Sequence, residues 1–92
     1  MPKKRLELVY TGNFDGTNFR DQAELFATAH GLTGHVSREA ADRMRVVAEG
    51  EEEELKTFLH DLNEYMDIFI EHYTKRWVPA TGEYSRFRIS KV

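Results

Sequence analysis

Two patterns of apolar spacing alternate along this chain and predict its secondary structure. A period of two, typical of a half-buried strand, runs through residues 5–11. A helical period begins at Phe19, where apolar residues recur at i, i+4, i+7 and i+8. Asn18 is a candidate N-cap for this helix. Gly31 followed by Leu32 predicts that the helix ends in a Schellman motif.

The second half of the chain again alternates between strand and helix patterns. Residues 33–37 and 43–49 predict two strands, joined by a turn over residues 39–42. A helical stripe follows at i, i+3, i+4, i+7 and i+11, and its members are Leu55, Phe58, Leu59, Leu62 and Met66. Residues 67–78 and 84–90 predict two further strands, separated by the turn-forming segment PATGE.

The order of elements is therefore βαββαβ with one more strand at the C-terminal end. Two helices, each with one apolar face, can cover one side of an antiparallel sheet. We predict one α+β domain over residues 1–92, a ferredoxin-like sandwich with both helices on one face of an antiparallel sheet and an extra C-terminal strand. Its expected core contains Leu6, Leu8, Phe19, Phe26, Val46, Leu55, Phe58, Leu59 and Leu62. The opposite, more solvated face or its edge is expected to carry Val9, Thr11, Val47 and Glu49.

Composition narrows the setting of this domain. A hydrophobic content of 40% suits a folded core, and the absence of cysteine excludes disulfides and thiolate chemistry. The net charge of −3 disfavours nucleic acid, because binding to phosphate backbones favours a basic face. We expect no signal peptide, no membrane span and a cytoplasmic location. The four histidines lack metal-site spacing, so neither a metal nor a cofactor is expected.

The segment GNFDGTNFRDQ, residues 12–22, carries the candidate chemistry. Arg20 falls in the first turn of the predicted helix, where the helix dipole disfavours a cation. Two explanations are open at this point. Either an anion binds beside Arg20, or Asp15 or Asp21 neutralises it as a structural ion pair.

The same segment resembles the signature of the acylphosphatase family. In that signature a glycine, a short loop and a second glycine lead to Gly-Phe-Arg at the start of the first helix. Four residues match in identity and spacing: Gly12, Gly16, Phe19 and Arg20. The resemblance continues through residues 30–36, 45–59 and 81–89 and is poor between about residues 63 and 78.

The resemblance implies a phosphate site at the start of the first helix. In acylphosphatases the loop amides and the arginine hold the phosphate of an acyl phosphate, and an asparagine on the second strand orients the attacking water. Arg20 would clamp the phosphate, with loop amides from Asp15, Gly16, Thr17, Asn18, Phe19 and Arg20. A glycine-rich loop before a helix forms such an anion nest, and catalysis there needs neither a metal nor a covalent nucleophile.

This chain departs from the family pattern at three positions. Arg38 replaces the asparagine, and a guanidinium has no acceptor for a water proton. Asp15 replaces the usual glutamine, and its carboxylate, if turned into the nest, would oppose phosphate by about 3 kcal/mol. Asn18 replaces a glycine, although asparagine tolerates the left-handed conformation well. We therefore predict an acylphosphatase-like, phosphate-binding domain with impaired hydrolysis, in which Arg38 either contacts the anion or is solvated.

Two alternative functions stay open. One is an active acylphosphatase, converting acyl phosphates to carboxylate and phosphate with Asn13 or Asn18 positioning the water. The other is a non-catalytic ferredoxin-like module, whose open sheet face or edge strand at residues 84–90 binds a protein partner or a second copy. The expected small-molecule partner is phosphate-bearing, and neither nucleic acid nor membrane is expected.

Overall fold

The computed structural model describes residues 3–90, which form five strands, two α-helices and one 3₁₀ turn. In chain order these are β1 (Lys4–Gly12), α1 (Phe19–Ala29), β2 (Thr33–Ala40), β3 (Arg43–Gly50), α2 (Glu52–Tyr65), the 3₁₀ turn (Asp67–Phe69), β4 (Ile70–Pro79) and β5 (Phe87–Ser90). The predicted fold is confirmed, because both helices pack on one five-stranded sheet of order β4-β1-β3-β2-β5. Neither described helix is long and apolar enough to cross a membrane.

The sheet is mixed, because its last strand runs parallel to its neighbour. β1 pairs antiparallel with both β3 and β4, and β2 pairs antiparallel with β3. β5 pairs parallel with β2, from Gly34 opposite Phe87 to Ser37 opposite Ser90. β4 and β5 therefore form opposite edges of the sheet, and the chain between them must cross its width.

The predicted core is confirmed with one exception. Phe26 is only half-buried, at the margin of the core, where its ring meets Tyr65 edge-on at 5.9 Å. The other eight predicted residues are buried between the helices and the sheet. Tyr10, Phe14 and Met66 are also fully buried, and Phe14 lies outside every strand and helix.

The end of α1 matches its prediction and its beginning does not. Leu32 N–H donates to Ala27 O at 2.9 Å and Gly31 N–H to Thr28 O at 3.1 Å. With Gly31 at φ 68°, these two bonds complete the predicted Schellman motif. At the other end, the side chain of Asn18 forms no capping hydrogen bond, so the predicted N-cap interaction is wrong.

The expectation of a solvated second sheet face is wrong for two residues. Val47 and Glu49 are only 3% and 4% exposed. The strap, defined here as residues 80–86 between β4 and β5, contacts Glu49. Glu49 accepts hydrogen bonds from the Thr81 and Gly82 amides at 3.0 and 2.9 Å. The Tyr84 hydroxyl lies 3.0 Å from His35 Nδ1 on β2. The strap therefore contacts both β3 and β2 on the face of the sheet opposite the helices.

Three predicted boundaries also need correction. β2 continues to Ala40 and leaves only residues 41–42 as the turn, because an irregular register after Arg38 lets the hairpin close later. Residues 67–69 form the 3₁₀ turn instead of strand, since Phe69 N–H bonds back to Met66 O at 2.9 Å. Residues 84–86 belong to the strap, so β5 begins only at Phe87.

Candidate functional site

The loop between β1 and α1 is anchored at its start by close backbone packing. Gly12 N–H donates to Asp42 O at 2.9 Å, and Asn13 N–H donates to Phe69 O at 3.1 Å. A Cβ at Gly12 would overlap the carbonyl oxygen of Phe69. Glycine is therefore required here by the close approach of the 3₁₀ turn. This contact sets the direction in which the loop leaves the sheet.

A tight turn over residues 14–17 shapes the loop. The amide and hydroxyl of Thr17 donate to Phe14 O at 3.1 and 2.7 Å. Gly16 has φ 74°, a conformation that favours glycine. Asn18 has φ −102°, so its position does not use the left-handed conformation that the sequence comparison suggested for it. The buried ring of Phe14 packs 5.0 Å from that of Phe19 and holds the turn against α1.

The loop leaves a set of backbone amides available. Within residues 3–90 six amides of the loop and the first turn of α1 donate to no protein acceptor: those of Phe14, Gly16, Asn18, Phe19, Arg20 and Asp21. Of the six predicted phosphate-binding amides, four are thus free. The other two are used within the loop, since Asp15 N–H faces Asn13 Oδ1 at 3.4 Å and Thr17 N–H closes the turn.

A cavity of about 270 Å³ lies between this loop, the start of α1 and the end of β2. Its lining residues are Phe14, Thr17, Asn18, Phe19, Arg20, Asp21, Arg38, Met44 and Ile89. Both arginines singled out in the sequence therefore face one space. Arg20 is half-buried and has no ion pair in the described part of the chain. Neither Asp15 nor Asp21 neutralises it.

Arg38 reaches the cavity because of its place in β2. Gly34 and Val36 are buried on the helix side of the sheet, and Arg38 continues this alternation toward the strand end. Its Nη2 donates to Asp15 Oδ1 and to Ala41 O, both at 2.6 Å. Asp15 is thus turned outward, with a side chain 81% exposed, and does not lie among the cavity-lining residues.

Two histidines outside the cavity lining have shifted pKa values. A hydrogen bond to Glu54 at 2.9 Å, opposed by desolvation and assisted by Asp61, raises the pKa of His30. Burial lowers the pKa of His35, and the nearby Arg45 and Arg5 lower it further. No cluster of three or more His, Asp or Glu side chains in residues 3–90 is placed to hold a metal ion.

Comparison with known proteins shows the family of this chain. The family model described as acylphosphatase matches residues 6–89. The chain belongs to the acylphosphatase family. It is 32% identical over 88 residues to an acylphosphatase of Caldanaerobacter subterraneus subsp. tengcongensis, covering 95% of this chain and 98% of that protein. It is also 32% identical over 89 residues to one from Marinobacter nauticus, with 96% and 97% covered.

The acylphosphatase fold is also found by structural comparison. The crystal structure of acylphosphatase from Bacillus subtilis matches with a TM-score of 0.84 at 19% identity, covering 96% of this chain and 99% of that chain. At this identity the match supports the fold alone. The signature loop of the acylphosphatase resemblance is the segment that the fold places over the cavity.

Four wall residues of the cavity were not predicted as part of the site: Phe14, Asp21, Met44 and Ile89. Met44 lies opposite Arg38 in the β2–β3 register, so a correct hairpin register would have identified it. Ile89 pairs with Val36 on the same sheet face, but only the parallel placement of β5 brings it there.

Proposed function

We propose that this domain binds the phosphate group of small acyl phosphates and related anions in the cavity at the start of α1, and hydrolyses acyl phosphates slowly at most. The observation that carries the proposal is Arg20, a half-buried guanidinium in the cavity without an ion-pair partner in residues 3–90. A cation in the first turn of a helix is unfavourable unless an anion joins it.

Backbone groups around Arg20 support the same ligand. The free amides of Gly16, Asn18 and Phe19 lie in the loop and first turn beside this side chain. Such amides together with the helix dipole favour a bound phosphate. A guanidinium adds bidentate, charge-assisted hydrogen bonds to phosphate oxygens. The outward orientation of Asp15 removes the carboxylate that would have competed for these donors.

Slow hydrolysis is expected because of Arg38. In hydrolysis the water oxygen attacks phosphorus, the bond from phosphorus to the acyl oxygen breaks, and carboxylate, orthophosphate and a proton result. The family resemblance implies an asparagine that orients this water. Arg38 stands in its place, has no acceptor atom, and uses Nη2 to bind Asp15 and Ala41. Loss of one positioned hydrogen-bonding group typically costs about 10²–10³ in rate.

Phosphate binding is tested by thermal unfolding with and without orthophosphate. At ten times its Kd the ligand stabilises the domain by about 1.4 kcal/mol, or roughly 6–11 °C for a domain of this size. Arg20→Ala should abolish the shift. Arg76→Ala is the matched control, because it removes an equally charged side chain that is 76% exposed on the edge strand β4. An unchanged melting temperature of the wild-type protein in phosphate would contradict the proposal.

Hydrolysis is tested with acetyl phosphate. Wild type should exceed the buffer rate only slightly. Arg38→Asn alone leaves Asp15 without its partner, so we expect the gain in turnover to appear in the double variant with Asp15→Gln. Rapid wild-type turnover that is lost in Arg20→Ala would instead establish the alternative, an active acylphosphatase. A double variant that binds phosphate but stays inert would refute the role assigned to Arg38.

A further inference from the structure

The candidate phosphate site contains a second cation. Arg20 and Arg38 come from α1 and β2 and line one cavity of about 270 Å³. Asp21 is the one carboxylate in that lining, so the described wall carries two positive charges and one negative charge. A single phosphate beside Arg20 would leave Arg38 paired only with Asp15 at the rim of the cavity.

The partner of Arg38 is easily exchanged. Asp15 is 81% exposed, and exposed ion pairs contribute only about 0–1 kcal/mol. Nη1 of Arg38 donates to no acceptor within the described residues, while Nη2 and Nε are directed to Asp15 and to the carbonyls of Ala40 and Ala41. The two carbonyl contacts keep the guanidinium at the cavity, and its free edge remains able to bind an anion.

The cavity is larger than one phosphate needs. Its volume of about 270 Å³ equals the liquid volume of roughly nine waters, whereas orthophosphate has five heavy atoms. Beside the polar groups of Thr17, Asn18 and Asp21, part of the wall is apolar and is formed by Phe14, Met44 and Ile89. This combination suits a short carbon linker with an anionic group at each end.

We propose that the preferred ligand carries two anionic groups, a phosphate at Arg20 and a carboxylate or second phosphate at Arg38. Arg38 is then the specificity-determining residue for a dianionic class of acyl phosphates and related compounds. This inference rests on the proposed function, because it takes the phosphate to be bound at Arg20. The rim pair with Asp15 holds Arg38 in the ligand-free protein and is replaced when the second anion binds.

The test compares two probes by calorimetric titration of the full chain: phosphonoacetate, which adds a carboxylate one methylene away, and methylphosphonate, which lacks it. We expect wild type to bind phosphonoacetate at least about tenfold more tightly, the factor equivalent to one well-placed charged contact. Arg38→Asn should reduce the ratio of the two affinities, phosphonoacetate over methylphosphonate, to near one while methylphosphonate still binds. Asp15→Asn should increase it, because the competing carboxylate is gone.

The controls separate this inference from the proposed function. Arg76→Ala should keep the full ratio of the two affinities. Loss of that ratio in Arg76→Ala would mean that the preference depends on the net charge of the protein and not on Arg38. If methylphosphonate binds through Arg20 but wild type shows no preference, the dianion inference is wrong and the proposed function stands. If Arg20→Ala leaves both probes bound, the phosphate does not lie at Arg20 and the proposed function fails.

Discussion

Replacement of Glu49 tests whether the strap is held by one buried carboxylate. Glu49 accepts from Thr81 N–H at 3.0 Å, Thr81 Oγ1 at 2.9 Å, Gly82 N–H at 2.9 Å and Arg5 Nε at 2.8 Å. Breaking a buried ion pair by removing one partner costs about 3–5 kcal/mol. Arg5 keeps contacts with Glu7 and Glu83 and the strap amides can reach water, so we expect Glu49→Ala to lower the free energy of unfolding by about 3 kcal/mol.

The assay is urea unfolding at pH 7, together with hydrogen exchange of the Thr81 and Gly82 amides. Exchange at both amides should accelerate in Glu49→Ala. Glu49→Gln should not restore stability, because its NH₂ group would face a donor. The matched control is Glu83→Ala, which removes a carboxylate that is 54% exposed in the same network and should cost less than about 1 kcal/mol.

The pH dependence of stability provides a second test at the same residue. Burial acts to raise the pKa of Glu49, but the hydrogen bonds from Thr81 and Gly82 outweigh it and hold the pKa below 4.5. Its stabilisation is therefore fully present above the unfolded-state pKa and is lost as pH falls through the lower folded-state pKa. If Glu49→Ala lowered the free energy of unfolding at pH 7 no more than Glu83→Ala does, the stabilising role assigned to Glu49 would be refuted.

Two further predictions concern the helices. Phe58→Ala should lower the free energy of unfolding by about 2–5 kcal/mol in urea titration, whereas Leu25→Ala, at a position 61% exposed, should be nearly neutral. The stabilisation that His30 gains from Glu54 and Asp61 should be full below pH 6.5 and disappear as pH rises through its raised folded-state pKa. Unfolding measured across this range should therefore show wild type and His30→Gln converging at high pH, and a constant difference would contradict the ion-pair explanation.

The parts of the fold that rest on local patterns could be predicted from the sequence. The stripe from Leu55 to Leu62 has the period of a helix and is buried along one face of α2. Gly31 and Leu32 are adjacent in the chain, and their Schellman bonds involve only the preceding turn. Signals of this kind are contained within a few residues, so they do not depend on how distant segments pack.

The sequence predictions were wrong where a segment distant in the chain determines the environment of a residue. Alternation in β3 indicates which residues share a face, but it cannot reveal that Val47 and Glu49 are buried there or that the strap binds Glu49. The predicted turn at residues 39–42 failed for a related reason, since the irregular pairing after Arg38 depends on the partner strand. The parallel placement of β5 likewise follows from the path of the strap across the sheet.

The candidate site depends on a local motif and on a contact between distant residues. Its two departures from the family pattern, Asp15 and Arg38, form that contact. The family motif correctly identified Arg20 as a residue of the first turn of α1, but the partner of Arg38 lies 23 positions away at Asp15. Taken singly, an acid in the loop would repel phosphate and an arginine on the strand would lack the acceptor for water. Paired at 2.6 Å, the acid is turned outward and the arginine is held at the cavity without adding net charge. We therefore infer that Asp15 and Arg38 function as one unit, and that the effects of replacing them are not additive.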